Sequence, residues 1–169
     1  MVSVRAATVG DELDVASVHV RSWQVGYRGL IPDEVLRQIQ PEERASRYTF
    51  GDGRETSLQT IVAVEDQVIL AFATLGASRE AERANVGEIF ALYVDPDHWG
   101  RGVGRTLIHD ARKLFGEQFY TSANLWVVEG NLRAMRFYEG DGWSADGLER
   151  EAVVWGVAVT ELRYSRTLD

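Results

Sequence analysis

The 169-residue sequence predicts a mixed α/β (α+β) protein in which helices cover the faces of a sheet. Segments rich in β-branched residues alternate with segments whose apolar residues recur every three or four positions. The composition, 45% hydrophobic and 26% charged, is that of an ordinary globular protein. Because no repeat, Pro-rich linker or low-complexity tract divides the chain, we expect a single domain over residues 1–169.

The first third of the chain is predicted to hold a short strand and three helices. Val2 to Ala6 is typical of a strand, and Thr8 with Asp11 resembles a capping box that opens a helix. Pro32 and Pro41 each begin a further short helix, since proline is favoured at the first helical position. The first helix has an apolar face, formed by Leu13, Ala16, Val20, Trp23 and Tyr27.

After residue 58 the pattern changes to strands. Thr60 to Val64 and Gln67 to Leu75 are predicted to form a hairpin with a tight turn at Glu65–Asp66. Val86 to Val94 and Asn124 to Val128 are predicted to be two further strands. The segments around them that are predicted to be loops are Gly51 to Glu55 and Ser78 to Asn85.

Two amphipathic helices are predicted after the strand that ends at Val94. One runs from Gly102 to Phe115 and stops at Gly116, because glycine commonly ends a helix. The other begins after Asn131 as its N-cap and ends at Gly140–Gly142. Beyond it, Val153 to Val159 and Glu161 to Arg166 are predicted to form a final antiparallel strand with an irregular lead-in. Since exposed strand edges invite pairing, Val153 to Val159 is our candidate surface for a homodimer.

Charge and composition exclude several classes of function. The formal net charge of −8 argues against nucleic-acid binding, because an acidic surface repels phosphate backbones. The longest uncharged stretch, Gln67 to Ser78, is too short to span a membrane. The first ten residues lack the long apolar run of a signal peptide, so we expect a cytoplasmic protein. There is no cysteine for a disulfide or a nucleophile, and His19, His98 and His109 are too scattered to indicate a metal site.

The most informative segment is a strand followed by a glycine-rich turn and a helix. Glycines let the backbone approach a ligand closely, and a helix N-terminus attracts anions. A pyrophosphate is the natural occupant, and the alternative is a tight turn that holds no ligand. The glycines and the positive charges beside them are Gly100, Arg101, Gly102, Gly104 and Arg105.

Two nucleotide-binding motifs fail on spacing. A P-loop needs Gly-Lys-Ser/Thr at the helix start, where this chain has Gly104-Arg105-Thr106. A dinucleotide-binding turn needs G-x-G-x-x-G, but the residue three after Gly102 is Arg105.

The turn resembles R/Q-x-x-G-x-G/A, the signature of the GNAT superfamily of acetyl-CoA-dependent N-acetyltransferases. Trp99 to Gly104 match its glycines, and Trp99 stands where the family has Arg or Gln. Asn131 to Trp143 is similar to the family's N-x-x-A-x-x-x-Y followed by Gly-Phe, with Trp143 in place of Phe. Two motifs in the right order are far more specific than one glycine run.

The resemblance implies a mostly antiparallel sheet of about seven strands, flanked by helices, whose central pair splays apart. The splayed segments would be Glu88–Val94 and Leu125–Val128. Acetyl-CoA would be the co-substrate, no metal would be needed, and the acceptor would be a small-molecule amine or a peptide amino group.

The resemblance also implies where acetyl-CoA would bind. The backbone of Leu92, Tyr93 and Val94 would pair with the pantetheine arm as with an added strand, and Asn131 would hydrogen-bond its amides. The residues implied for the pyrophosphate are Gly100, Arg101, Gly102, Val103, Gly104, Arg105 and Thr106.

Two catalytic residues are implied. Tyr138 lies seven residues after Asn131 on the same helix face, where the family has a general acid for the departing thiolate. Its ordinary pKa of about 10 keeps a phenol protonated near neutrality, and the alternative is a partly buried structural aromatic. A base is also expected, since an alkyl ammonium titrates near pH 10, and several family members have a catalytic Glu at the position of Glu88. Alternation places Glu88 on the face of Phe90 and Leu92, whereas the alternative is a solvated acid at a strand end.

Weaker candidates accompany these residues. Glu129 is a reserve base, and Trp23, Tyr27 and Arg28 lie where the family builds acceptor specificity, although an aromatic pair on one helix face is more often core than a substrate site. Direct attack in a ternary complex is favoured, because no cysteine is available for an acyl-enzyme. The competing hypotheses are a non-catalytic CoA-binding sensor of the same fold and a nucleotide phosphotransferase.

Overall fold

The computed structural model describes residues 1–51, 58–80 and 85–169. Most of the two segments predicted to be loops, Gly51 to Glu55 and Ser78 to Asn85, lies outside these residues. No described helix is both long enough and apolar enough to cross a membrane. The described strands are β1 (Ser3–Ala6), β2 (Leu58–Glu65), β3 (Val68–Ala77), β4 (Val86–Val94), β5 (Ser122–Val128), β6 (Ser144–Val154) and β7 (Val157–Thr167). The described α-helices are α1 (Glu12–Gly26), α2 (Asp33–Gln38), α3 (Pro41–Ala45), α4 (Val103–Glu117) and α5 (Leu132–Gly140).

The strands form one sheet in the order β1-β2-β3-β4-β5-β7-β6. Only β4 and β5 are parallel neighbours, and all other pairs are antiparallel. The predicted fold class, a mixed and mostly antiparallel sheet flanked by helices, is therefore confirmed.

The central strands β4 and β5 are paired over only part of their length. Their pairing runs from Val86–Ser122 to Ile89–Leu125, although β4 continues to Val94 and β5 to Val128. Beyond Ile89 the two strands separate and leave a gap in the middle of the sheet. This is the splay that the sequence motifs imply.

A β-bulge at Phe90 changes which β4 side chains face which side of the sheet. Leu75 pairs with Ile89 and Thr74 with Ala91, so Phe90 is passed over in the register with β3. As a result, Leu92 packs with Ile89 in the core beneath α4. The prediction that Glu88 and Leu92 share a face was therefore wrong, because simple alternation takes no account of a bulge.

The helices cover both faces of the sheet. On one face, α4 buries Val103, Leu107, Ile108, Ala111 and Phe115 against the strands. On the other face, α1 packs against β3 and β4 and buries Val15 and Val18, whereas the predicted core residue Leu13 is 49% exposed. The capping box is half formed, since Asp11 accepts the Thr8 N–H at 2.8 Å but α1 begins only at Glu12.

Two chain reversals lie at other residues than predicted. The hairpin turn is at Asp66–Gln67, one residue later than expected, and both residues have positive φ as a type I′ turn requires. Helix α4 continues through Gly116 to Glu117, and the chain reverses at Phe119, whose φ is +64°.

The C-terminal prediction of one strand was also wrong. Residues 144–167 form a long hairpin of β6 and β7, and Trp155–Gly156 make its turn. Strand β6 carries mostly exposed polar residues, so its sequence lacks the apolar alternation typical of a strand. Val153 to Val159, our candidate homodimer surface, spans this turn, and the edge of the sheet is instead formed by β6.

Candidate active site

The gap between β4 and β5 opens into a cavity of about 410 Å³. The N-terminus of α4 and one face of α5 complete its walls. Of the residues predicted for the site, those that line this cavity are Leu92, Tyr93, Val94, Gly100, Gly102, Val103, Gly104, Arg105, Asn131 and Tyr138. Arg101 and Thr106 belong to the same turn but lie outside the lining, and both are exposed.

The glycine-rich turn leaves the start of α4 open. Gly100 and Gly102 have φ of +74° and +84°, a conformation that favours glycine. Gly102 is the N-cap and offers no side chain to the first-turn N–H groups, which by helical geometry have no partner within the helix. The first turn also contains no acidic residue. The start of α4 therefore offers free N–H donors and the positive end of the helix dipole, which are the features that attract an anion.

Position 104 requires a glycine because of close packing, not because of its backbone conformation. A Cβ at this position would lie 3.1 Å from the ring of Phe137 on α5 and 3.3 Å from Val94 on β4. Helix α4 therefore approaches both elements closely at the cavity wall.

The exposed edge of β4 offers backbone groups to the gap. The Asp95 N–H donates to the Leu70 carbonyl of β3 at 2.8 Å. Because hydrogen-bonded pairs alternate along an antiparallel ladder, the backbone of Tyr93 also faces β3, whereas the groups of Leu92 and Val94 face the gap. Of the three residues predicted to pair with an added strand, Leu92 and Val94 therefore have backbone groups that face the gap, whereas Tyr93 does not.

Trp99 has a role that the motif comparison did not reveal. Its indole N–H donates to the carbonyl of Val94 at 2.8 Å, and the Ser22 hydroxyl donates to the same carbonyl at 2.7 Å. The guanidinium of Arg133 stacks on the Trp99 ring, and both side chains lie over Gly26 of α1. In the sequence, the only sign of this role is that Trp99 stands where the family signature has Arg or Gln.

Tyr138 and Asn131 project from α5 into the cavity. Burial raises the pKa of the Tyr138 phenol well above its usual range, and nearby Tyr93 adds to the shift. The phenol is therefore protonated at every physiological pH. The side-chain oxygen of Asn131 caps α5 by accepting the Ala134 N–H at 3.3 Å, which leaves its amide NH₂ as a donor.

Glu88 lies in a smaller cavity that adjoins the main one. Its carboxylate is nearly fully buried, so the alternative of a solvated strand-end acid is excluded. Oε2 accepts the backbone N–H of Arg79 at 3.1 Å, and Oε1 accepts its guanidinium at 3.2 Å. The two cavities share wall residues that include Tyr27, Phe90, Tyr93 and Trp126.

Of the weaker candidates, two line a cavity and two are exposed outside both cavities. Trp23 lines the smaller cavity and Tyr27 lines both, while each is also a member of the core. Arg28 is exposed and donates to the Gln24 carbonyl, and the reserve base Glu129 is exposed and lines neither cavity. Among the described residues, no group of three or more His, Cys, Asp or Glu could hold a metal ion.

Comparison with known proteins gives a consistent result. The sequence model of the acetyltransferase (GNAT) family matches residues 20–143. The N-acetyltransferase YuaI of Bacillus subtilis is 29% identical over 133 residues, which cover 78% of this chain and 74% of that protein. The spermidine N(1)-acetyltransferase of Thermoplasma acidophilum is 21% identical over 149 residues, covering 86% and 89%. The crystal structure of the PaiA N-acetyltransferase of Thermoplasma acidophilum in complex with coenzyme A is similar at a TM-score of 0.77 and 18% identity, over 99% of each chain.

Proposed function

This chain belongs to the GNAT family of acetyltransferases, and on that premise we propose that it moves the acetyl group of acetyl-CoA to a primary amine by direct attack in a ternary complex. One observation carries the proposal. The unpaired edge of β4 leads directly to the open N-terminus of α4, so donors for an amide chain and for a pyrophosphate lie in one continuous cavity.

The pantetheine arm fits the gap as an added strand. The Val94 N–H and the Leu92 carbonyl would pair with its amides, and the amide NH₂ of Asn131 would bind an amide oxygen from the other wall. The N–H groups of Val103, Gly104 and Arg105 would bind the pyrophosphate, and the Arg105 side chain would add positive charge.

The carbonyl of the thioester would be polarised by a backbone N–H. Leu92 is favoured for this role, because its N–H faces the gap and lies farther along β4 from the start of α4, where the pyrophosphate would bind. As the amine nitrogen forms its bond to the acetyl carbon and the carbon–sulfur bond breaks, Tyr138 would donate its proton to the sulfur.

Glu88 would accept the proton that the attacking amine loses. It is not part of the main cavity, so the amine would approach from the smaller cavity, where the carboxylate lies. The amine would then reach the acetyl group across the wall that the two cavities share.

The decisive experiment measures thiol release from acetyl-CoA with a colorimetric reagent, using a panel of amines, amino acids and short peptides as acceptors. The protein has no cysteine, so it contributes no thiol background. We expect turnover on one acceptor class. Acetyl-CoA at 100 times its Kd should also stabilise the fold by about 2.7 kcal/mol.

Thermal shift without turnover on any acceptor would favour the sensor hypothesis. If acetyl-CoA causes no thermal shift and no acceptor is turned over, the proposal is overturned. ATP serves as the control ligand, and protection by ATP in preference to CoA would point to a phosphotransferase.

A further inference from the structure

The described residues that line the smaller cavity, about 70 Å³ in volume, carry equal numbers of positive and negative charges. Among its described lining residues are two acids, Glu88 and Glu161, and two bases, Arg79 and Arg150. This contrasts with the net charge of −8 for the whole chain. The lining also includes the aromatic residues Trp23, Phe90 and Trp126.

The Glu88 carboxylate accepts two hydrogen bonds, one from a fixed backbone N–H and one from a side chain that can move. The backbone N–H of Arg79 fixes Oε2, whereas among the described residues Oε1 is bonded to the Arg79 guanidinium alone. The Arg79 side chain is 62% exposed and that of Glu88 is 2% exposed. The guanidinium can therefore move into solvent at little cost, while the backbone N–H keeps the carboxylate in place.

The opposite wall repeats this arrangement. Nε of Arg150 lies 2.7 Å from Oε2 of Glu161, and here too the arginine is the more exposed partner. Each guanidinium also covers an aromatic ring, Arg79 at 4.7 Å from the centre of Phe90 and Arg150 at 4.2 Å from the centre of Trp126. Movement of Arg79 would uncover both a carboxylate oxygen and the face of an aromatic ring.

The charge balance distinguishes between acceptor classes. A simple ammonium bound at Glu88 would exchange one Glu–Arg pair for one Glu–ammonium pair, so it would gain no ion pair. Each further cation of a polyamine would likewise replace one pair by another. An α-amino acid brings one charge of each sign on adjacent carbons. It would convert one Glu–Arg pair into two pairs, ammonium with Glu88 and carboxylate with Arg79.

Resting on the proposed function, we propose that the acceptor is an α-amino acid with an apolar or aromatic side chain. Its ammonium binds Oε1 of Glu88, its carboxylate binds the displaced guanidinium of Arg79, and its side chain packs on the aromatic residues of the lining. After the ammonium loses one proton to Glu88, the nitrogen bonds to the acetyl carbon and the carbon–sulfur bond breaks. The departing thiolate takes the proton of Tyr138, and the second proton that the nitrogen loses returns to the Tyr138 phenolate. The N-acetylated product has no ammonium to pair with Glu88. The Arg79 guanidinium can therefore pair with Glu88 again, which favours release of the product.

The test compares matched acceptors by kcat/KM for thiol release. L-phenylalanine, phenylalanine amide and 2-phenylethylamine share one ring and one amine, but only the first has a carboxylate. We expect phenylalanine to exceed the other two, and also spermidine, by about two- to fivefold, the value of one ion pair with a largely exposed arginine. Faster turnover of 2-phenylethylamine, the amide or spermidine would overturn the proposal and leave the acetyltransferase function intact.

A variant then tests the residue. In Arg79→Gln the ratio of phenylalanine to 2-phenylethylamine should fall toward one, whereas Lys113→Gln, the same charge change at an exposed position of α4, should keep it. An equal loss on both acceptors would mean a merely structural role for Arg79 and would overturn the assignment.

Binding keeps the two proposals distinguishable. If no acceptor releases thiol, the proposed function fails. A thermal shift with phenylalanine and none with 2-phenylethylamine would still support the ion-pair exchange, and no shift with either would overturn it.

Discussion

The indole N–H of Trp99 donates to the carbonyl oxygen of Val94 at 2.8 Å, at the point where β4 leaves the sheet. With the Ser22 hydroxyl as second donor, the last carbonyl of the strand is fully satisfied. The residue that departs from the family signature thus joins the glycine-rich turn to the end of β4.

Replacing Trp99 by Phe should loosen this connection. The variant loses one hydrogen bond, worth about 1 kcal/mol, and keeps an aromatic ring beneath Arg133. We expect the KM for acetyl-CoA to rise by about five- to tenfold with little change in kcat, measured by steady-state kinetics. Ser22→Ala removes the other donor and should have a similar effect. A fall in kcat at unchanged KM would contradict this role.

Tyr138→Phe tests the general acid. Loss of the phenol should lower kcat by about 10²-fold or more while the Kd of acetyl-CoA stays nearly constant. Tyr164→Phe is the matched control, because its hydroxyl bonds to Glu139 at 3.1 Å and lies outside both cavities. Equal turnover in the Tyr138 variant would remove this residue as the acid.

The pKa of Tyr138 also predicts a pH profile. Since burial raises this pKa, the acid stays protonated as the pH rises above the usual phenol range. The wild-type kcat should therefore show no loss of activity between pH 7.5 and about 10, the ordinary phenol pKa. An alkaline fall below pH 10 would indicate a different acid.

Glu88→Gln removes the proposed base. The rate should fall most at low pH, where the amine is hardest to deprotonate, and recover partly as the pH rises. Glu129→Gln, a change of the same kind at an exposed residue outside both cavities, should leave the profile unaltered. If the Glu88 variant keeps the wild-type pH–rate profile, another base or a water chain takes the proton.

His19 predicts a loss of stability in acid. It is buried with Nδ1 at 2.7 Å from the Tyr48 hydroxyl, and burial, followed by the charge of Arg44, lowers its pKa well below the usual range. The unfolded chain therefore binds a proton first, so stability is complete above pH 6.5 and decreases as the pH falls. The slope should approach about 1.4 kcal/mol per pH unit.

Urea unfolding between pH 7.5 and 5 measures that slope. His19→Gln should flatten it, whereas His109→Gln, at an exposed residue of α4, should not. An unchanged slope in His19→Gln would assign the acid sensitivity to other groups.

Two glycines near Phe115 should respond to alanine with opposite signs. A Cβ on Gly87 would lie 2.5 Å from the Phe115 ring, so Gly87→Ala should destabilise the fold by about 1–3 kcal/mol. Gly116 lies within α4 and faces open space, so Gly116→Ala should stabilise it by about 0.5–1 kcal/mol. Chemical unfolding of both variants measures the difference, and a neutral Gly87→Ala would show that the ring can shift.

The sequence predicted the elements whose local pattern agrees with their environment. Strand β4 was placed without error, because it is apolar except at Glu88 and is bounded by Asp95–Pro96. Helices α4 and α5 followed from their amphipathic repeat and from Asn131 as N-cap. Strand β6 could not be found in this way, since an exposed edge strand needs no apolar face.

The site was predicted less completely, because its geometry depends on contacts between distant residues. No local pattern indicates the bulge at Phe90, which moves Leu92 to the other face from Glu88. Similarly, the pairing of Glu88 with Arg79 across a strand connection, and of Trp99 with the Val94 carbonyl, depends on tertiary structure. Motif matching assigns residue types to roles, but it does not report which partner each side chain meets.

The short seam between β4 and β5 has a consequence for folding. Between Val86–Ser122 and Ile89–Leu125 a few backbone hydrogen bonds join the half-sheet of β1 to β4 to the half-sheet of β5 to β7. A coenzyme arm bonded to both sides of the gap would act as a non-covalent cross-link between the halves. The free chain should then open along this seam at a lower free energy than it unfolds globally, and the ligand should make the two halves unfold as a single cooperative unit.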